Sequence, residues 1–138
     1  MAENKLSWEE VYKLCVTLAD NILRDNQRPR VIVTPDKDSW PFGRILCDLL
    51  GVKTLLHLGN VEDVEKTLKL KQLKPDEILL SVTRAESLGK AEIQAKISVF
   101  PGLKVAALVA SSTETGWRPD YVGKTFHAHP TMPWENQT

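Results

Sequence analysis

Apolar residues near the start of the chain recur at the spacing of one helical face: Val11, Leu14, Cys15, Leu18 and Ile22 form a stripe that stops at Asp25-Asn26 and Pro29. Ser7 precedes it as a cap, Glu10 is placed to reach back, and Leu6 with Val11 matches a hydrophobic staple, so a helix is expected from Trp8. The period then changes. Arg30-Val-Ile-Val-Thr34 is a short β-branched run, followed by the turn-forming Pro35-Asp36-Lys37-Asp38-Ser39. A second helix is expected from Ser39 or Trp40, with Pro41 in its first turn, Phe42, Ile45, Leu46 and Leu49 on one face, and Gly51 closing it. Beyond it the pattern predicts a strand from Lys53 to Leu58 and a helix capped by Asn60 that carries Val61, Val64 and Leu68. A strand from Asp76 to Val82, a loop through Arg84 to Ser87 and a helix marked by Ile93 and Ile97 come next. Lys104 to Ala110 reads as a strand, Ser111 to Asp120 as a polar loop and Lys124 to His129 as an edge strand, before a tail with Pro133-Trp134.

Strands alternating with helices imply right-handed crossovers and a mostly parallel sheet covered on both faces. The expected class is α/β, a Rossmann-like three-layer sandwich. No internal repeat, low-complexity segment or linker interrupts it, so residues 1–138 are expected to form a single domain. Ligands of such sheets bind outside the carboxyl ends of the strands, which directs attention to loops 34–39, 82–88 and 111–118.

Composition narrows the classes further. The 138 residues are 42% hydrophobic and 26% charged, too apolar for a disordered chain, and no run of 18 or more apolar residues is present to span a membrane. Eighteen basic and eighteen acidic residues cancel, removing the basic field that non-specific nucleic-acid binding requires. Cys15 and Cys47 lie in apolar helical patterns without metal-ligand spacing and read as buried thiols of a reducing compartment. The N-terminus lacks the pattern of a secretory or organellar signal, and a cytoplasmic location is expected.

Several stretches carry a family resemblance. They are Leu6-Ser-Trp-Glu-Glu-Val-Tyr-Lys-Leu, Val31-Ile-Val, Gly43-Arg44-Ile-Leu-Cys-Asp48-Leu-Leu-Gly51-Val, Arg118-Pro-Asp-Tyr-Val-Gly123 and Pro133-Trp134-Glu135. In this order, over nearly the whole chain, the sequence resembles the small purine or xanthine-guanine members of the type I phosphoribosyltransferases. The resemblance implies the phosphoribosyltransferase fold and a site for phosphoribosyl pyrophosphate. In the family, two adjacent carboxylates at the end of a strand hold the ribose hydroxyls, and the loop after them cradles the 5′-phosphate. The corresponding positions here are Thr83 and Arg84, then Ser87, Gly89 and Lys90. The pyrophosphate loop corresponds to Lys37, Asp38 and Ser39, the base side to Trp134 and Glu135, and the purine-reading lysine to Ser112, while the hood segment shortens to Gly59–Pro75. Arg84 has only donors and reverses the local charge, and Asp36 and Asp38 flank Lys37 where glycines would present backbone N–H groups.

The expectation is therefore a degenerate paralogue, with ordinary transfer impaired or lost, that binds a phosphate-containing or purine-like ligand or a protein partner. An active xanthine, guanine or hypoxanthine phosphoribosyltransferase with an atypical site is the second reading, and a structural or regulatory subunit the third. No cofactor is expected, Mg²⁺ entering only if transfer is retained. A homo-oligomer, with a dimer favoured, and no nucleic-acid or membrane partner complete the expectation. Individual residues keep alternatives. Ser87, Gly89 and Lys90 form either an anion site at a helix start or a plain cap. Arg84 meets Glu86, a ligand phosphate or solvent, and Asp36 to Asp38 either chelate a metal or cap the next helix. His127 and His129 alternate on the expected edge strand and share a face there, as metal ligands or as a structural or exposed pair, and His57 reads as a satisfied residue at a strand end. Trp117 and Trp134 either stack on a purine or bury an edge, and Trp40 is expected to fill space in the pocket.

Overall fold

The computed structural model describes residues 5–58, 61–89, 91–112, 119–128 and 130–135. Helix α1 runs over Trp8–Arg24 behind a complete capping box: the Ser7 hydroxyl accepts from the Glu10 N–H at 3.1 Å, and the Glu10 carboxylate accepts from the Ser7 N–H at 3.1 Å. That hydrogen bonding to Ser7, helped by nearby Lys124 and Lys13, holds the Glu10 carboxyl below its ordinary range. Ser7→Ala removes one half of the box and is expected to lower the unfolding free energy by about 1 kcal/mol, measured by urea titration at neutral pH.

Strand β1 (Val31–Thr34) leads through a 3₁₀ turn at Lys37–Ser39 into helix α2 (Trp40–Leu50), with Pro41 in its first turn. Gly51 ends α2 at φ +70°, a left-handed conformation that costs glycine nothing. Then follow β2 (Leu55–His57), α3 (Val61–Lys71), β3 (Ile78–Arg84), a 3₁₀ segment at Ala85–Gly89, α4 (Ala91–Ile97), β4 (Lys104–Ser111) and β5 (Tyr121–Phe126). The sheet order is β2-β1-β3-β4-β5, and every pair is parallel.

Side chains alternate between two apolar layers as the strand period requires. Ile32, Leu79, Ala106 and Leu108 join Val11, Leu18, Ile22, Phe42 and Leu46 beneath α1 and α2. Val31, Val33, Leu80, Val82, Val105 and Ala107 join Val64, Leu88 and Ile93 on the opposite face, beneath α3 and α4. The expected three-layer α/β sandwich is the observed one. Cys15 and Cys47 are buried free thiols, and burial pushes their pKa values up to about 12 and about 11.

Several boundaries differ from expectation, among them the start of β5, which is already at Tyr121. β3 begins at Ile78 because Asp76 and Glu77 belong to a 3₁₀ turn, in which the Glu77 carboxylate accepts from the Lys74 N–H. β2 covers only Leu55–His57. The stretch read as a loop after β3 is the 3₁₀ segment Ala85–Gly89. β5 ends at Phe126, so His127 lies beyond the strand, and the face it was expected to share with His129 lies partly outside the described residues. His129, Asn60 and Gly59 lie outside the described residues. Among the described residues, no helix is long and apolar enough to cross a membrane, and no group of three or more His, Cys, Asp or Glu side chains is placed to hold a metal ion.

Candidate functional site

The chain runs from β1 outward to β2, then crosses back to β3 on the other side of β1. The carboxyl ends of β1 and β3 therefore diverge into loops at a topological switch point, where open parallel sheets bind ligands. Two sequence-distant loops meet there. Asp36 caps the 3₁₀ turn by accepting from the Ser39 N–H at 2.8 Å, which bends residues 37–39 across the strand end. Ser39 is buried, and its hydroxyl accepts from the Thr83 N–H at 3.0 Å; the Thr83 hydroxyl donates to the Asp38 carbonyl at 2.9 Å. Thr83, fully buried, fastens the loop to the sheet.

Arg84, the last residue of β3, carries the centre of the site. Its guanidinium donates to the Asp38 carboxylate at 2.9 Å, to the Pro130 carbonyl at 3.0 Å and to the Glu135 carboxylate. Glu135 also accepts from the Met132 N–H at 2.7 Å, closing the C-terminal turn, and the Trp134 indole N–H donates to Asp38 at 3.0 Å. The Trp134 ring lies 5.5 Å from the Trp8 ring, tilted by 45°, and the Leu6 N–H donates to the Thr131 carbonyl. One cation thus joins three chain segments, with 84% of its side chain removed from solvent.

Electrostatics follow from two acids sharing one guanidinium. Burial pushes the Asp38 carboxyl above its ordinary range, reinforced by the Glu135 and Asp36 charges, and outweighs the Trp134 hydrogen bond and the Arg84 charge. Burial opposes ionisation of Glu135 too, but hydrogen bonds from Arg84 and the Met132 N–H overcome it and hold that carboxyl low. Burial disfavours the charged guanidinium, while the hydrogen bond and charge of Glu135 and the charge of Asp38 raise the Arg84 pKa, so the cation is permanent.

The structure brings together Lys37, Asp38, Ser39, Thr83, Arg84, Trp134 and Glu135. Arg84 is the last residue of β3 rather than a solvated loop residue: Asp38 and Glu135 accept from its guanidinium, and the Glu86 charge acts on it as well. Lys37 is exposed. Trp40 is 52% exposed, and the expectation that it fills the pocket is corrected: α2 presents Phe42 inward and turns residue 40 out. Ser112 is an exposed turn residue whose N–H donates to the Phe126 carbonyl. Ser87 and Gly89 lie in the 3₁₀ segment, whereas Lys90 and Trp117 lie outside the described residues. His57, the last residue of β2, is exposed.

No family model matches this sequence, and no curated protein matches it. Solved structures do. The chain aligns with the xanthine-guanine-hypoxanthine phosphoribosyltransferase of Helicobacter pylori at a TM-score of 0.73 and 14% identity, over 97% of this chain and 94% of that one. The fold is that of the purine phosphoribosyltransferases. A hypothetical protein from Neisseria gonorrhoeae with bound ppGpp aligns with this chain at a TM-score of 0.75 and 14% identity, over 99% of this chain and 93% of that one. The HGPRT-ase of Leishmania tarentolae in complex with GMP aligns at 0.67 and 18%, over 90% and 81%.

Among the described residues at this strand end, the magnesium ion that a phosphoribosyl transfer would use finds no fitting donor set. A guanidinium stands where the resemblance puts a ribose-binding acid, and the Asp38 and Glu135 carboxylates already accept from it. A divalent cation added there meets a fixed positive charge and engaged ligands.

Proposed function

We propose that this protein is a ligand-binding relative of the phosphoribosyltransferases that does not transfer ribose phosphate, and that its ligand is a purine nucleotide. One observation carries the reading: Arg84 occupies the end of β3 and is held by Asp38, Glu135 and the Pro130 carbonyl. A ribosyl donor needs acceptors for its two hydroxyls and room for a metal-bound pyrophosphate. This strand end offers donors in place of acceptors, and its acids are turned onto Arg84. A nucleotide phosphate has the opposite relation to the same group, because it can replace the carboxylates on a guanidinium with charge-assisted hydrogen bonds of its own. The GMP and ppGpp carried by two similar solved structures support the choice of a purine nucleotide.

Two measurements test this. Incubation with phosphoribosyl pyrophosphate, Mg²⁺ and hypoxanthine, xanthine or guanine is expected to yield no nucleotide. Turnover of about 1 s⁻¹ or faster, the lower end of ordinary enzyme rates, overturns the reading. GMP or ppGpp at a hundred times its dissociation constant is expected to stabilise the protein by about 2.7 kcal/mol, and Arg84→Met is expected to abolish that gain. Absence of a thermal shift with both nucleotides leaves the purely structural role in its place.

A further inference from the structure

Helix α1 and the edge strand β5 run in opposite directions and are fastened where α1 ends and β5 begins. There the Tyr121 hydroxyl donates to Asp25 at 2.6 Å, and Leu18 lies against Gly123. Toward the capped start of α1 and the last residues of β5, a cleft of about 360 Å³ separates the two elements. Leu6, Glu10, Lys13 and Leu14 line it on one side and Lys124 and Phe126 on the other, together with Lys5. Small-molecule sites typically enclose about 300–1,000 Å³, so the cleft is of that size. None of its lining residues belongs to the Arg84 cluster.

Two kinds of side chain meet in the cleft. Leu6 is buried, and Leu14 and Phe126 are half-buried, which gives it an apolar floor. Lys5, Lys13 and Lys124 are exposed and bring ammonium groups to the same space. Lys124 Nζ lies 5.1 Å from the centroid of the Phe126 ring, so a positive charge stands directly beside aromatic surface. Glu10 is the lining carboxylate. Its hydrogen bonds with Ser7, and after them the charges of Lys124 and Lys13, hold it ionised. Lys13 also meets Glu9 at 3.3 Å, but both side chains are largely exposed, and such a pair is weak enough to yield to a ligand. Three lysines against one carboxylate leave a net double positive charge over the apolar floor. A neutral apolar molecule leaves that charge unanswered, and a bare inorganic anion leaves the floor uncovered. A molecule that carries a ring and a dianion together satisfies both.

We propose that the cleft between α1 and β5 is a second ligand site, which takes a small aromatic phosphate monoester with its ring on Leu6, Leu14 and Phe126 and its phosphate among Lys5, Lys13 and Lys124. The proposal is independent of the nucleotide-binding reading, because that reading rests on Arg84 and its partners.

Isothermal titration of the full chain with 1-naphthyl phosphate at low salt is expected to show one site per chain with a dissociation constant below about 1 mM, and 1-naphthol and inorganic phosphate are each expected to bind at least about tenfold more weakly. Lys124→Glu and Lys5→Glu, at exposed positions, are each expected to weaken the probe about fivefold or more with an unchanged circular dichroism spectrum, and Lys124→Arg to stay within about twofold of wild type. Arg84→Met is expected to bind the probe as wild type does. Absence of saturable binding up to about 5 mM overturns the proposal, as does inorganic phosphate binding as tightly as the naphthyl ester. Affinity unchanged in both lysine-to-glutamate variants overturns it too, and a loss in Arg84→Met as large as that in Lys124→Glu places the probe in the crevice instead.

Discussion

Arg84→Met is expected to lower the unfolding free energy at pH 7 by about 2–3 kcal/mol, and the loss is expected to shrink in acid. The magnitude sits below the 3–5 kcal/mol typical of breaking a fully buried pair, because Asp38 and Glu135 keep part of their contact with water. Methionine fills much of the same volume, so the loss reports charge and hydrogen bonding more than an emptied cavity. The pH dependence has a definite sign. Glu135 is held below its ordinary value of 4.5, so its contribution is present above that value and is lost as pH falls through the lower folded one. Asp38 is raised above its ordinary 3.8, so its ionisation opposes the folded state, and that penalty develops as pH rises from 3.8 through the higher folded value. Removing Arg84 leaves two carboxylates facing each other at neutral pH. Below about pH 4 both are increasingly protonated and need no cation. Urea titrations of wild type and variant at pH 7 and pH 3.5 check this, and an equal difference at both would mean that the arginine acts through packing alone.

The second large effect is expected at Gly123. An added Cβ would sit 2.5 Å from the Leu108 carbonyl oxygen and 3.3 Å from Leu18 Cδ1. Leu108 is in the buried middle of β4 and Leu18 in the buried face of α1, so neither can withdraw without moving the sheet or the helix. Gly123→Ala is therefore expected to cost about 3 kcal/mol, at the upper end of overpacking penalties. The neighbouring Lys124→Ala, on an exposed position of the same strand, is expected to change stability by no more than about 0.5 kcal/mol. Chemical denaturation of the two variants gives the comparison. Similar losses would show that β5, not the contact beneath Gly123, is the sensitive element.

Gly123 also illustrates where the sequence was hard to read. In a strand pattern glycine suggests a break, and the edge strand expected from sequence runs from Lys124 to His129. Here it serves close approach of α1 to the sheet, and β5 starts at Tyr121, whose hydroxyl donates to Asp25 at the end of α1. By contrast β1, β4, α1 and α2 were legible, because β-branched runs, a capping box, Pro41 and Gly51 are local signals that agree with the core pattern. The crevice loops were legible too, since strand ends locate them. What they do was legible only in part. Substitution of the expected acids by Thr83 and Arg84 is visible in sequence, but the partners of Arg84 are 46 and 51 residues away. Each of these charges taken alone reads as a solvated surface group. Only the crossover that sets β3 beside β1, and the turn that returns Glu135 to the same end of the sheet, makes them a cluster.

The Trp8 and Trp134 rings join the start of α1 to the turn held by Arg84. Trp8 opens α1 and is half exposed, and Trp134 lies beside Glu135 in that turn. Two indoles at this separation and tilt couple their ultraviolet transitions, so near-ultraviolet dichroism and intrinsic fluorescence monitor this junction without any added label. An anion that displaced Glu135 from Arg84 would shift the Trp134 ring against Trp8, so a single spectrum would follow that exchange.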